Sequence, residues 1–253
     1  FTGMRERYGS DRLWAWFPFA KTLLVLDPPS IEAVLTSADN AADPFLKKRA
    51  LSRFAPDALV ISSGDEWRER RDFNETVLDS GTLHRHHDAF VATVTREVAS
   101  SCGAAARDWR WADFQSLAER ISHQLILGAG DVRPELTRAM NRMVRLSNVL
   151  LRDPTGFTTF YDEMARCLRA QQPAPTACLM HDSAALLASG RAGHSTPVPP
   201  QIGFWFFVLK DAVELHVART LVLIAAHPSA QARVRDEIRA AGALDSNAID
   251  GLR

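Results

Sequence analysis

The stretch Leu59-Val-Ile-Ser-Ser-Gly64-Asp-Glu-Trp67-Arg-Glu-Arg-Arg71-Asp-Phe-Asn-Glu75 decides how the rest of the chain is read. A short apolar run, Leu59–Val60–Ile61, ends in Ser62–Ser63–Gly64, and helix signals follow, with a helix expected over Asp65–Leu78. Trp67 and Arg71 are four apart, so they share a helix face one turn from each other. An indole N–H and a guanidinium so placed can reach the same anion. Arg supplies a permanent charge with forked donors, and Trp a donor that tolerates apolar surroundings. Taken alone, Trp-x-x-x-Arg also describes a core tryptophan beside a surface arginine.

Upstream, Trp14–Ala20 and Thr22–Asp27 read as two short strands around a turn at Lys21. Asp27 reads as a helix N-cap with Pro28 at the first helical position, where a missing N–H costs nothing. The helix it opens carries Ile31, Val34 and Leu35 on one face. A polar, irregular stretch, Asp39–Asp57, separates it from the opening segment.

Downstream, helices are expected over Leu83–Ala106, Trp111–Leu127, Pro134–Leu151 and Gly156–Ala170. Gln171–Pro200 is rich in Pro, Ala, Gly and Ser, with one apolar patch at Ala184–Ala188, and reads as a surface connection or a hinge. Gln201–Ala226 is a long helix broken at His227–Pro228, and Ser229–Ala241 is a last, amphipathic one stopped by Gly242. The expected architecture is mainly α with a small N-terminal β-sheet.

The 253 residues suffice for a substantial core, with 46% hydrophobic and 24% charged residues, close to the soluble globular average. Thirty basic residues balance thirty acidic ones, which leaves no global field to collect nucleic acid or anionic lipid. Cys102, Cys167 and Cys178 are odd in number and widely spaced, without metal-ligand spacing, and fit a reducing cytoplasm. The longest strongly apolar stretch, Ile202 to Leu209, is too short to cross a bilayer. With Phe1 first and no signal segment after it, the chain reads as a cytoplasmic protein, and as a piece of a longer one.

Three segments, in order, resemble the cytochrome P450 family. In that family a short apolar run, a turn ending in Gly and then Trp-x-x-x-Arg open the helix that crosses one face of the haem. Leu23-Leu-Val-Leu-Asp-Pro-Pro-Ser-Ile-Glu-Ala-Val-Leu35 is similar to its first strand pair and following helix. His227-Pro-Ser-Ala-Gln-Ala-Arg-Val-Arg-Asp-Glu-Ile238 is similar to its helix-break-helix after the long central helix. The resemblance covers nearly the whole chain. It implies a single, incomplete cytochrome P450-like domain: residues 1–40 as small sheet and first helix, 41–170 as the helical layer with the haem-propionate helix, 171–200 as linker, 201–253 as the oxygen-helix region. It implies haem as cofactor, with Trp67 and Arg71 toward a propionate.

Phe204-Trp-Phe-Phe-Val-Leu-Lys-Asp-Ala-Val213 stands where that family has its oxygen-binding helix. Counting back from Pro228, the acid position is Asp211 and the usual Thr position, against the cofactor, is Ala212. Val208 and Leu209 hold the small-residue positions. Some bacterial members have Asp-Ala-Ala here. The resemblance implies that Asp211 is the catalytic acid, and that Leu59, Val60, Phe204, Phe207 and Val208 line the substrate side. Without a hydroxyl at 212, proton delivery needs water or a substrate group. Lys210 beside Asp211 also allows a simple surface or helix-pairing charge.

The family's axial thiolate lies in a Phe-x-x-Gly-x-Arg-x-Cys-x-Gly segment, preceded by Glu-x-x-Arg, and neither pattern occurs here. The chain is therefore expected to be inactive alone. Joined to the missing portion, it would hydroxylate or oxidatively couple an apolar small molecule with dioxygen and electrons from a ferredoxin- or flavodoxin-type donor. The alternative is a non-catalytic helical remnant that binds a partner or an apolar ligand. His84 and His87, three apart, could share a ligand, but no carboxylate or Cys completes a metal set, and a solvated helix entrance is expected. His216 and His227 read as structural.

Overall fold

The computed structural model describes residues 2–17, 20–36, 45–102, 110–128, 133–170, 177–191 and 196–240. The side chains of residues 2, 4, 5, 17, 20, 45–47, 102, 211 and 212 fall outside that description. The chain divides into two compact units, Phe1–Lys47 and Lys48–Arg253.

In the first unit a short helix, α1 (Thr2–Tyr8), precedes an antiparallel pair, β1 (Arg12–Phe17) and β2 (Ala20–Val25). The register pairs Trp14 with Leu23 and Trp16 with Lys21. Lys21 is therefore a strand residue and not the turn: alternation alone cannot say where a hairpin reverses, and the pairing puts the reversal between Phe17 and Ala20. Lys21 Nζ lies 4.7 Å from the centre of the Trp14 ring, a cation–π contact across the pair. Helix α2 (Pro28–Thr36) begins as its residues require, with Ser30 N–H donating to Asp27 Oδ2 at 2.8 Å. The hydrogen bonds from Ser30 hold the Asp27 carboxyl below its ordinary range.

The boundary between the units falls within α3 (Phe45–Leu51), and a loop after it carries Phe54, Ala55 and Ala58 into the core of the second unit. The sequence reads this region as polar and irregular, because isolated apolar residues carry no period. They are buried because three other elements grip the loop. Tyr161 Oη donates to the Phe54 carbonyl at 2.6 Å, and Gln201 Nε2 to the Asp57 carbonyl at 2.6 Å. Arg70 Nη2 meets Asp57 Oδ1 at 3.2 Å. A 3₁₀ turn, Leu59–Ile61, then leads into α4 (Gly64–Leu78).

Helix α4 buries Arg70, Phe73, Asn74 and Val77, and side chains of that face reach α10 (Val198–Ala212). The Phe73 and Trp205 rings stack at 6.0 Å and 5°. Trp205 Nε1 donates to Asn74 Oδ1 at 2.5 Å, and Asn74 Nδ2 donates to Gln201 Oε1 at 3.1 Å. Gln201 Oε1 also accepts the Leu59 N–H at 3.2 Å. Buried amides are tolerated only when so matched.

Around this pair stand α5 (His87–Cys102), α6 (Trp111–Leu127), α7 (Pro134–Asn148) and α8 (Pro154–Ala170). Helix α8 approaches α10 closely: a Cβ on Gly203 would lie 3.0 Å from the Phe160 ring and 3.1 Å from that of Tyr161. His123 of α6 is fully buried; its Nδ1 accepts the Arg133 N–H at 2.8 Å and its Nε2 lies 2.9 Å from Thr137 Oγ1. Within 171–200, read as a connection, stands α9 (Leu179–Ala188), with Leu179, Met180, Ser183 and Ala184 buried. A ten-residue helix is too short to hold by propensity, so its existence depends on packing that composition does not show. The long C-terminal helix is three pieces: α10, a π-helical turn at Val213–Val217 and α11 (Ala218–Ala226), with α12 (Pro228–Ala240) after His227. The molecule is thus mainly α with one small antiparallel sheet.

Replacing Gln201 by Leu keeps the volume near and removes partners from the Asp57 carbonyl, the Leu59 N–H and the Asn74 amide. We expect a loss of about 3 kcal/mol in urea unfolding, because buried groups left unpaired cost more than the net value of a bond. A loss below about 0.5 kcal/mol would show that water replaces the amide. Asp79 ends α4 in the left-handed region, at φ 47°, and accepts from Arg85 at 2.5 and 2.9 Å. The Arg85 guanidinium and N–H hold its carboxyl far below the usual range. A depressed pKa contributes stability above the unfolded value of about 3.9 and loses it as pH falls below that. Asp79→Asn should therefore be less stable than wild type at pH 7, with a gap that narrows between about pH 4 and pH 2.

Candidate functional site

Trp67 and Arg71 sit together on the open edge of α4. Arg71 is half-exposed, its Nε donates to Glu75 Oε1 at 2.7 Å, and its guanidinium lies 5.2 Å from the centre of the half-buried Trp67 ring. A solvent-exposed i, i+4 ion pair is worth little, so the Arg71 donors can be given to a stronger anion at small cost. The preceding arginine does different work. Arg70 is buried and reaches Ser62 Oγ at 2.5 Å, Asp57 Oδ1 at 3.2 Å and Glu66 Oε2 at 3.5 Å. One residue of register separates a cation that locks the core from one that remains open.

Helix α10 divides in the same way. Gln201, Ile202, Trp205 and Phe206 are buried, whereas Phe204 and Phe207 are half-buried and Val208 is 40% exposed. Residues 204, 207, 208 and 211 share one face at helical spacing. Phe207 meets Phe54 edge-on at 5.1 Å and Phe204 at 6.2 Å, which ties that face to the gripped loop. Leu59 is half-buried in its 3₁₀ turn, next to the 44% exposed Val60. Asp211 and Ala212 end α10, and their side chains lie outside the described residues.

The π-helical turn begins at the next residue. Such turns leave the i→i−4 ladder locally unmatched and concentrate at functional positions. Its buried acid, Glu214, was not singled out by the sequence reading. Gln115 Nε2 donates to Glu214 Oε1 at 2.5 Å, and Lys210 Nζ lies 3.4 Å from Oε2. Lys210 thus has a carboxylate one turn along the helix. An acid between Val213 and Leu215 was the available signal.

The two cysteines whose side chains are described are both buried. Cys167 is buried in α8, with Sγ 3.6 Å from Glu163 Oε1; Cys178 caps α9 and accepts the His181 N–H at 3.4 Å. Burial pushes the Cys178 thiol up, against ionisation. The side chain of Cys102 lies outside the described residues. Among the described residues no group of three or more His, Cys, Asp or Glu could hold a metal. The histidine reading changes partners: His86, not His87, joins His84. Both rings lie on Phe90, at 5.8 and 4.8 Å, and His86 Nε2 meets the buried Asp182 Oδ1 at 3.1 Å. Helix α5 starts only at His87, so helical spacing does not apply at residue 84.

The residues therefore fit one edge of a haem: a cation with an aromatic neighbour at an open helix edge, and a part-open aromatic face on α10. They do not include, among those described, an accessible axial thiolate. Helix α11 buries none of its residues, with Leu221, Val222 and Leu223 54%, 68% and 61% exposed. No helix among the described residues is long and apolar enough to cross a membrane.

A search of solved structures returns a cytochrome P450 (CYP102L1) with a TM-score of 0.65 at 15% identity. The match covers 94% of this chain and 61% of that one, so the chain spans about three fifths of its neighbour's length. The fold is cytochrome P450-like. No protein-family model matches the sequence, and no curated protein matches it.

Leu221, Val222 and Leu223 expose apolar surface around most of the girth of α11, and exposed apolar surface promotes association. Changing all three to Gln should reduce binding of an apolar fluorescent dye and self-association in sedimentation. Unfolding free energy should move by less than about 0.5 kcal/mol per site, as for other surface positions. A large destabilisation would place these side chains inside a packed core.

Proposed function

We propose that this chain is the distal and propionate-side part of a haem-thiolate monooxygenase. The carrying observation is the coincidence of a cytochrome P450-like fold with the open Trp67–Arg71 edge of α4. In this reading Arg71 releases Glu75 and binds a haem propionate with Trp67 beside it. Haem, when bound, supplies dioxygen activation for oxygen insertion into the substrate. The half-buried Phe204 and Phe207, with Leu59, Val60 and Val208, form the apolar wall that positions a small molecule and excludes water. Asp211 holds the proton in a turn where Ala212 cannot, and the π-helical turn after it leaves room for water to carry that proton. The axial thiolate belongs to residues beyond those described, as part of a longer working chain in the cytoplasm. Electrons come from a ferredoxin- or flavodoxin-type donor.

A second reading, a non-catalytic helical module that binds an apolar ligand or a partner, draws on the buried cysteines and the uncovered α11. Haem titration separates the two. We expect measurable haem binding without a thiolate-type ferrous–CO band, since Cys167 and Cys178 are buried. Arg71→Gln should weaken it about tenfold, the worth of a charge-assisted bond. Arg68→Gln, on the same helix and paired with Asp65 in solvent, should not. Equal affinity for the two variants would favour the second reading. In a chain that carries the thiolate segment, Asp211→Asn should lower product formation about ten- to a hundredfold and divert reducing equivalents to peroxide. Unchanged turnover and coupling would make Asp211 a packing residue.

A further inference from the structure

Nothing in the local sequence asks for a change of pitch at Val213–Val217. No Gly or Pro stands between Phe204 and Ala226, and the chain is α-helical on both sides of the turn. A change of pitch away from Gly and Pro needs a side chain or a tertiary contact as its cause. Burial within the turn points to that side chain. Among its five residues Glu214 is the buried one, whereas Leu215 and Val217 are each 42% exposed. Apolar burial alone would choose the opposite arrangement.

The Glu214 carboxylate joins three pieces of structure. Gln115 Nε2 of α6 donates to Oε1 at 2.5 Å, and Lys210 Nζ, in the last turn of α10, lies 3.4 Å from Oε2. The Lys210 contact is an attraction of charges and not a formed hydrogen bond, because Oε2 is buried without a hydrogen-bond partner among the described residues. Both side chains are largely buried, so solvent screens that attraction little. At the entry to the turn the Val213 N–H is shared between the Leu209 and Lys210 carbonyls, where the ladder changes step. A buried ion pair with one oxygen unmatched contributes little net stability, and its use lies in choosing one packing over another. Lys210 and Glu214 are four apart and can meet in an unbroken helix as well. The contact that tells the two pitches apart is therefore Gln115, which comes from a different helix.

We infer that Glu214 is a positioning residue: held by Gln115 and charged against Lys210, it selects the π-helical turn over an unbroken helix. An unbroken helix would hold one residue fewer in that turn, and all of α11 would be rotated by roughly 100° about its axis. The turn begins directly after Asp211 and Ala212. Selecting it thus also fixes the backbone from which Asp211 acts. The role for Asp211 rests on the oxidase reading above; the selection of the turn does not.

NMR couplings across hydrogen bonds, measured on the deuterated 253-residue chain without haem, name the carbonyl that each amide at the end of the turn bonds. In the wild type these amides bond five residues back. Gln115→Glu, which sets two carboxylates together, should move them to four residues back. Gln115→Glu/Glu214→Gln exchanges donor and acceptor and should restore the five-residue step. Lys210→Met/Glu214→Leu should lose that step while circular dichroism shows the chain folded, since an apolar pair replaces a buried ion pair without loss of stability. Five-residue bonds retained in Gln115→Glu or in the apolar pair would overturn the inference and leave Glu214 an ordinary buried acid. An exchanged pair that folds but does not restore them would overturn it as well. Equal haem affinity of Arg71→Gln and Arg68→Gln, with the NMR pattern as expected, would sink the oxidase reading and leave the selection of the turn in place. The reverse would sink the selection alone.

Discussion

The side-chain amide of Gln201 is the constraint on which the second unit depends. It is fully buried, and it pairs at once with the Asp57 carbonyl, the Leu59 N–H and the Asn74 amide. Three elements distant in sequence, the 52–61 loop, α4 and α10, are thereby fixed in mutual register. An apolar residue could fill the same volume but would specify no partner atoms. The stacked Phe73 and Trp205 rings supply the burial, and the Trp205–Asn74 bond joins them to the amide network.

From that lock follows the division of labour along α4. Because Asn74 and Arg70 face inward, Trp67 and Arg71 fall on the flanking stripe, where neither can be fully buried. Core and site are then two faces of one helix. Arg70 gives donors to Ser62 and Asp57 and braces the loop; Arg71 meets Glu75 and the Trp67 ring at the open edge. The same partition holds on α10, where the face opposite Ile202 and Phe206 carries Phe204, Val208 and position 211. The half-exposure of aromatic residues on that face is what a bound apolar group would relieve.

The grip on the loop acts from two sides. Tyr161 holds the Phe54 carbonyl from α8, and Gln201 holds Asp57 from α10, so the backbone between them runs on a fixed course.

Much was legible in the residues themselves. Asp27–Pro28 as a helix start, α4 after Ser63, α6, and the break at His227–Pro228 all depend on local chemistry, and each stands within a residue or two of its expected place. The Trp67–Arg71 stripe and the shared face of Phe204, Phe207, Val208 and Asp211 also follow from helical spacing alone. What the residues could not declare were the long-range pairings. The burial of Phe54 and Ala58, helix α9 within a linker-like composition, and the π-helical turn with its buried Glu214 have no local signal. Nor does sequence distinguish the buried Arg70 from the open Arg71. Propensity, capping and periodicity act over a few residues; which donor meets which acceptor across 127 to 144 positions is decided only when the helices pack.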